Sequence, residues 1–134
     1  MQFKKLVTLL VALVIISGLF AGCTAKPTES KPAEATKPSE IVIGVYEPMT
    51  GSQAAGGVQT MQGVNLAYEQ KGEVLGVKIR MVLVDNRSDK AEAATAMTRL
   101  IEQEKAIAVV GSYGSSNSMA GGEVSEKAHV PVMG

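Results

Sequence analysis

From Glu40 onward, short β-branched runs alternate with longer segments patterned at helical spacing, and nothing else in the chain constrains its fold as strongly. Residues 41–46, IVIGVY, are apolar and β-branched, as expected of a strand buried on both faces. Residues 57–71 place Val58, Met61, Val64 and Tyr68 at helical spacing, with Gly72 as the stop. Residues 77–84 predict a second strand with Val77, Ile79, Met81 and Leu83 on one face. Lys78 and Arg80 break its other face, which suits a position near a sheet edge. Ser88 or Asp89 can cap the next helix, whose apolar stripe is Ala93, Ala96, Met97, Leu100 and Ile101. Residues 106–110 predict a third strand. A polar Gly/Ser loop then leads into a helix over residues 117–128, and residues 130–133 begin a fourth strand. Strand followed by helix, three times over, predicts an α/β fold: a three-layer parallel sheet with right-handed crossovers and helices on both faces.

The segment before this pattern has a different character. Met1 to Lys5 carries two lysines, residues 6–20 are rich in apolar side chains, and Ala21-Gly22-Cys23 closes the run. A charged start, an apolar middle and a small-residue end read as an export signal. Its fifteen positions are few for a bilayer span, which needs about 20. Cys23 is the chain's one cysteine, so no internal disulfide is available to it, and its position suggests acylation. Leu19-Phe20-Ala21-Gly22-Cys23 resembles a bacterial lipobox, with Phe20 where a smaller aliphatic residue is usual. On that reading Cys23 is the mature N-terminus and carries a lipid anchor that does not span the membrane. The plainer alternative is a cleaved signal in which Cys23 is one more small residue.

Residues 24–39, TAKPTESKPAEATKPS, hold no apolar side chain larger than alanine or proline and three Lys-Pro or Lys-spaced prolines at 27, 32 and 38. Such a segment buries too little to order itself and reads as a disordered Pro/Lys/Glu spacer. The expected organisation is therefore a signal over residues 1–23, a spacer over 24–39 and a folded part over 40–134. The sequence ends at Gly134, in or just after a strand with nothing to cover the last edge, which predicts a fragment of something longer.

Composition narrows the chemistry. The chain has 13 basic and 13 acidic residues, and setting aside Lys4 and Lys5 leaves 11 against 13. No basic face remains for a phosphate backbone, so nucleic acid is not an expected partner. One cysteine and one histidine (His129) cannot build a structural zinc site of the four-ligand Cys/His kind. No metal and no cofactor is expected. Asp85, Asn86 and Asp89 carry metal-type oxygens, but capping and solvation explain them better. Glu47 and Glu123 have no spacing that makes them an acid/base pair.

In an open parallel sheet, ligands bind beyond the carboxyl ends of the strands, where strand order reverses. The exit loop of the first strand, Glu47-Pro48-Met49-Thr50-Gly51, is expected to face that of the third, Gly111 to Ser118. The second loop brings glycines, hydroxyls and a helix N-terminus, a combination suited to an anion and most naturally to a carboxylate. Phosphate competes in principle, but neither loop carries G-x-G-x-x-G or G-x-x-x-x-G-K-[ST]. The same residues also have a purely structural reading. Ser115, Ser116 and Asn117 are good N-caps, while Gly111 and Gly114 are good turn residues. Met49 and Met119 are candidates for an apolar pocket wall.

IVIGVYEPMTG, the helix beginning near Gly57, VKIRMVLVDNRSD, the Ala-rich helix, AIAVVGSYGSSNSMA and VPVMG together resemble the start of the Leu/Ile/Val-binding class of periplasmic binding proteins. These are the type I solute receptors of amino-acid ABC importers, and the likeness covers residues 41–134. It implies the first of two α/β lobes that close over a ligand, with an ABC permease as partner and no enzymatic activity. In that family a hydroxyl-bearing loop after the third strand holds the ligand α-carboxylate. Here that role falls to Ser115, with N–H groups from Gly114 and Ser116, Tyr113 walling the pocket, and Thr50 facing the loop. An aromatic residue common in the family's first loop is replaced by Gly56, which leaves substrate size open. The family's other contacts lie beyond Gly134. A lipid-anchored extracytoplasmic receptor for an amino acid is the resulting expectation. The competing expectations are a sensor lobe of a signalling system, a Rossmann-type enzyme and a non-functional truncated product.

Overall fold

The computed structural model describes residues 37–134. The expected signal, Cys23 and most of the spacer lie outside the described residues. The elements run β1 (Glu40–Glu47), α1 (Ala54–Gln70), β2 (Glu73–Val74), β3 (Val77–Asp85), α2 (Lys90–Glu102), β4 (Ala108–Val110), α3 (Ser115–Ala128) and β5 (Val132–Met133). None of the described helices is long and apolar enough to cross a membrane.

The five strands lie in the order β2-β3-β1-β4-β5. β1 is central and pairs in parallel with β3, from Glu40 opposite Lys78 to Glu47 opposite Asp85, and with β4 through Ile43, Gly44 and Val45. β5 continues the parallel set beyond β4. The exception is β2, which pairs antiparallel with the start of β3. The sequence reading missed this hairpin because β2 has two residues, too few to show a period of two. Its turn is made by Leu75 and Gly76, both with positive φ (52° and 71°), as a tight two-residue hairpin requires.

Alternation along β1 divides the layers. Val42, Gly44 and Tyr46 face α2 and α3, where Val42, Tyr46, Ala93, Ala96, Met97, Leu100 and Val109 form the buried core. Gly44 lets this layer close tightly: a Cβ there would lie 2.9 Å from the Leu100 Cδ1. The other face, carrying Ile43 and Glu47, looks toward α1. Ala93, Ala96, Met97 and Leu100 of the expected α2 stripe are buried, and Ile101 packs half-buried against them. Asp89 caps the helix by accepting from the N–H groups of Ala91 (2.8 Å) and Glu92 (3.0 Å).

α1 departs more from expectation. It begins three residues before Gly57, at Ala54, and buries Gly57 and Met61 while Val58 stays 41% exposed. The reason is a close approach of backbones. A Cβ on Gly57 would come within 2.2 Å of the Pro48 carbonyl oxygen, so the helix presents Gly57 to the β1 exit loop and Val58 turns outward. Tyr68, also half out, anchors the far end by donating to the Ile79 carbonyl at 3.0 Å.

Tyr46 is fully buried against Gly121 of α3, and its hydroxyl has no hydrogen-bond partner among the described residues. Burial, followed by the neighbouring Glu47 charge, pushes its pKa up to about 12. A buried hydroxyl without a partner contributes desolvation cost and no bond. Tyr46→Phe is therefore expected to leave stability unchanged or raise it by up to about 1 kcal/mol in urea unfolding. A loss above about 1 kcal/mol would mean the hydroxyl has a partner after all.

Candidate functional site

Strand order reverses between β3 and β4 on either side of β1, and the carboxyl-terminal crevice there is the expected ligand position. Three exit loops meet at it, and a buried polar network ties them together. Asn86, fully buried after β3, donates through Nδ2 to the Ser112 Oγ at 2.7 Å and to the Tyr46 carbonyl at 3.4 Å. Its Oδ1 accepts from the Ser88 N–H at 3.1 Å and from Asn117 Nδ2 at 3.4 Å. Asn117 also donates to Gln53 Oε1 at 3.3 Å, which joins α3 to the start of α1. Ser118 closes the loop on itself, its hydroxyl donating to the Ser112 carbonyl at 2.7 Å.

A cavity of about 600 Å³ opens beside this network. Gly111, Ser112, Tyr113, Gly114 and Ser115 form one wall, with Glu47, Thr60, Ser118, Met119, Met133 and Gly134 around them. The structure therefore brings Tyr113, Gly114 and Ser115 together at one cavity. Ser116 is half-buried one residue further along α3 and is not part of the lining. Met119 lines the cavity and Met49 does not.

Thr50 is placed differently from expectation. Its hydroxyl donates to Asp85 Oδ2 at 2.7 Å, its N–H reaches Asp85 Oδ1 at 3.3 Å, and its carbonyl accepts from the Ser88 hydroxyl at 2.8 Å. It belongs to the β1–β3 side of the crevice and does not line the cavity that holds Ser115. The physical reason is Asp85, which gathers four donors: Met49 N, Thr50 N, Thr50 Oγ1 and Arg87 N. Burial is the largest single influence on its carboxyl and acts upward. The bonds from Thr50, Arg87 and Met49 together outweigh it and hold the group below the usual aspartate value. Contact with the α3 loop is made instead by the start of α1, through its N-cap Gln53 and through Gly56. A Cβ on Gly56 would lie 2.4 Å from the Tyr113 ring, so that ring occupies the space a side chain at position 56 would take.

The N-terminus of α3 offers backbone donors that no side chain caps. Gly114 is the N-cap residue, with φ 98°, and no side chain caps the helix. The N–H groups of Asn117 and Ser118 turn back to the Gly114 carbonyl, at 3.0 and 3.1 Å. Those of Ser115 and Ser116 precede any intrahelical acceptor. No acidic residue lies in the first turn, so the positive end of the helix dipole is not offset. The Ser115 side chain is exposed toward the cavity. Ser115 and Ser116 are thus helical residues rather than the cap, and the loop's capping alternative falls to Gly114, which has no side chain to serve it.

The sequence reading passed over Asn86, Gln53 and Asn117 as site residues, and it set Glu47 aside. A polar side chain directly after an apolar strand, as in Val84-Asp85-Asn86 and Tyr46-Glu47, was the available signal.

Comparison with known proteins bears on the fold and the family. The model of the periplasmic binding protein family matches residues 40–134. The chain belongs to the periplasmic binding protein family. An amino acid binding protein of Pseudomonas aeruginosa is 37% identical over 95 residues, 69% of this chain and 25% of that protein. Among solved structures, the branched-chain amino acid transporter substrate binding protein LivJ from Streptococcus pneumoniae, in complex with isoleucine, is 38% identical with a TM-score of 0.66. That match covers 69% of this chain and 28% of the other. A solute binding protein of an ABC transporter from R. palustris, in complex with benzoate, is 29% identical with a TM-score of 0.64. It matches over 69% of this chain and 26% of its own. The chain thus spans about a quarter of the length of the relatives it matches.

Proposed function

We propose that this chain supplies the carboxylate-binding part of an extracytoplasmic solute receptor serving an ABC importer, with a branched-chain or similar amino acid as its ligand. The observation that carries the reading is the uncapped N-terminus of α3, which opens with the Ser115 hydroxyl onto the 600 Å³ cavity. N–H groups of Ser115 and Ser116, the Ser115 hydroxyl and the helix dipole together suit one carboxylate. Tyr113, Met119 and Met133 surround the cavity with apolar surface for a side chain that carries no charge. The relatives' names point the same way, since one binds isoleucine and another benzoate, and both ligands carry a carboxylate. A periplasmic-family domain acts outside the cytoplasm. Cys23, with its lipobox-like surroundings, gives the anchor: acylated, it holds the receptor at the membrane surface while residues 24–39 act as tether. The permease is the second partner in this scheme.

Ser115→Ala removes one charge-assisted hydrogen bond and leaves the backbone donors in place. Its affinity for isoleucine should fall by about 10-fold to about 100-fold in calorimetric titration, with the fold intact by circular dichroism. Unchanged affinity would move the ligand carboxylate away from α3.

A further inference from the structure

One group at this cavity has no part in the reading above. Glu47 is fully buried at the end of β1, with its side chain on the α1 face of the sheet. Its Oε2 accepts the Tyr113 N–H at 2.8 Å, fixing the loop that leads into α3. Its Oε1 has no hydrogen-bond partner among the described residues. That oxygen is crowded against Gly111 together with the Tyr46 carbonyl, for a Cβ at Gly111 would lie 2.8 Å from the first and 2.5 Å from the second. The Tyr46 carbonyl accepts from Asn86 Nδ2 at 3.4 Å, whereas Glu47 Oε1 is left with no donor. The register partner of Glu47 on β3 is Asp85, on the same face, and the contrast is instructive. Asp85 holds four donors on its two oxygens, Glu47 one.

We propose that Glu47 is a charge-discriminating residue of this cavity, holding the loop before α3 in its protonated form, so that a carboxylate ligand binds together with a proton at Glu47. The inference rests on the carboxylate reading of the α3 cradle. The proton comes from solvent and binds at Oε1, and no other covalent bond changes. Protonation lifts the cost of an unpartnered buried anionic oxygen at Oε1 and removes a negative charge from a cavity about to receive another. Burial already pushes the Glu47 carboxyl upward, and the Tyr113 N–H offsets part of that.

The surrounding elements do not supply a cation to replace the proton. On β1 the titratable neighbour is Tyr46, on the opposite face. β3 brings Asp85, and Arg87 beyond it pairs with Glu92 at 3.6 Å. The β4–α3 loop brings Tyr113 alone. α1 brings uncharged Gln53 and Thr60 to this end, its one charged residue being Glu69 in the last turn, and α3 has no charged residue before Glu123. β5 contributes Met133, and Gly134 follows it.

The sign of the stability effect follows. Because the folded value is raised, Glu47 contributes stability that is complete below its unfolded value and lost as pH rises through the folded one. Glu47→Gln keeps an acceptor for the Tyr113 N–H and cannot ionise, so its stability relative to the parent should rise with pH.

The test is calorimetric titration of benzoate, a carboxylate without an amine, into the protein from about pH 5 to about pH 8, in buffers of different ionisation heat. The parent should take up as much as about one proton per benzoate, with affinity falling about tenfold per pH unit above the Glu47 titration. Glu47→Gln should bind with no proton uptake and a flat profile. A parent that takes up no proton, or a variant that takes up as many, overturns the proposal while leaving the carboxylate reading standing. Absence of binding by benzoate and isoleucine at every pH overturns that reading and the coupling with it. A second measurement needs no variant: the carboxyl carbon of Glu47 and the amide of Tyr113, followed by NMR, should titrate together, and benzoate should move their midpoint upward. An unmoved midpoint with benzoate bound rejects the coupling.

Discussion

Truncating Leu100 to alanine is expected to lower the unfolding free energy by about 4 kcal/mol, toward the upper end of what buried leucines lose. Leu100 is fully buried at the centre of the α2 layer. Gly44 lies directly beneath it and Ala93 and Ala96 share its helix face, so on these sides no side chain can swing into the space. The larger Tyr46, Met97 and Val109 of the same cluster are themselves fully buried. The lost contacts therefore add to a void that persists. Urea unfolding monitored by circular dichroism reads the change. A loss below about 2 kcal/mol would show that the α2 layer repacks, and the tight approach at Gly44 would then not govern the core.

Gly57→Ala should cost about 3 kcal/mol, although alanine is the better helix former and the position lies inside α1. The added methyl would meet the Pro48 carbonyl at 2.2 Å, a backbone atom held by the exit loop of the central strand. To make room, α1 must lift from the β1 exit loop at Pro48, shifting Gln53 and Gly56 at its own start away from the α3 turn. The same substitution should therefore also weaken carboxylate binding. Gly63 is the internal control, since a Cβ there meets nothing within 4 Å. Gly63→Ala should be neutral or stabilise by up to about 1 kcal/mol, as helix propensity alone dictates. Equal effects at the two positions in a common unfolding assay would mean propensity governs both, and the helix–loop contact governs neither.

Much of the fold was legible because it rests on periodicity. The strand at Ile41 to Tyr46, the Asp89 cap, and the stripe Ala93, Ala96, Met97 and Leu100 follow from local chemistry, and each reappears where expected. The α1 boundary was not legible, because Gly56 and Gly57 look like helix breakers, whereas they make room for the Tyr113 ring and the Pro48 carbonyl, which no local pattern reports. The site divided along the same line. Tyr113, Gly114 and Ser115 share a cavity because they are consecutive in one loop. Thr50 was expected to join them across the sheet. It is drawn away by Asp85, a residue 35 positions distant whose hold on the loop depends on strand register.

The alternation of the longer strands and helices and the membership of the chain in its family were written in the sequence, since each depends on residues close together along it. Which loops actually meet, that Asn86 is their hub, and that Glu47 stands buried with one oxygen unmatched were decided by tertiary structure alone. Hydrogen-bond supply at the end of a sheet is set by which strands become neighbours. That neighbourhood joins residues as far apart as Glu47 and Tyr113, whose pairing spans 66 positions of chain.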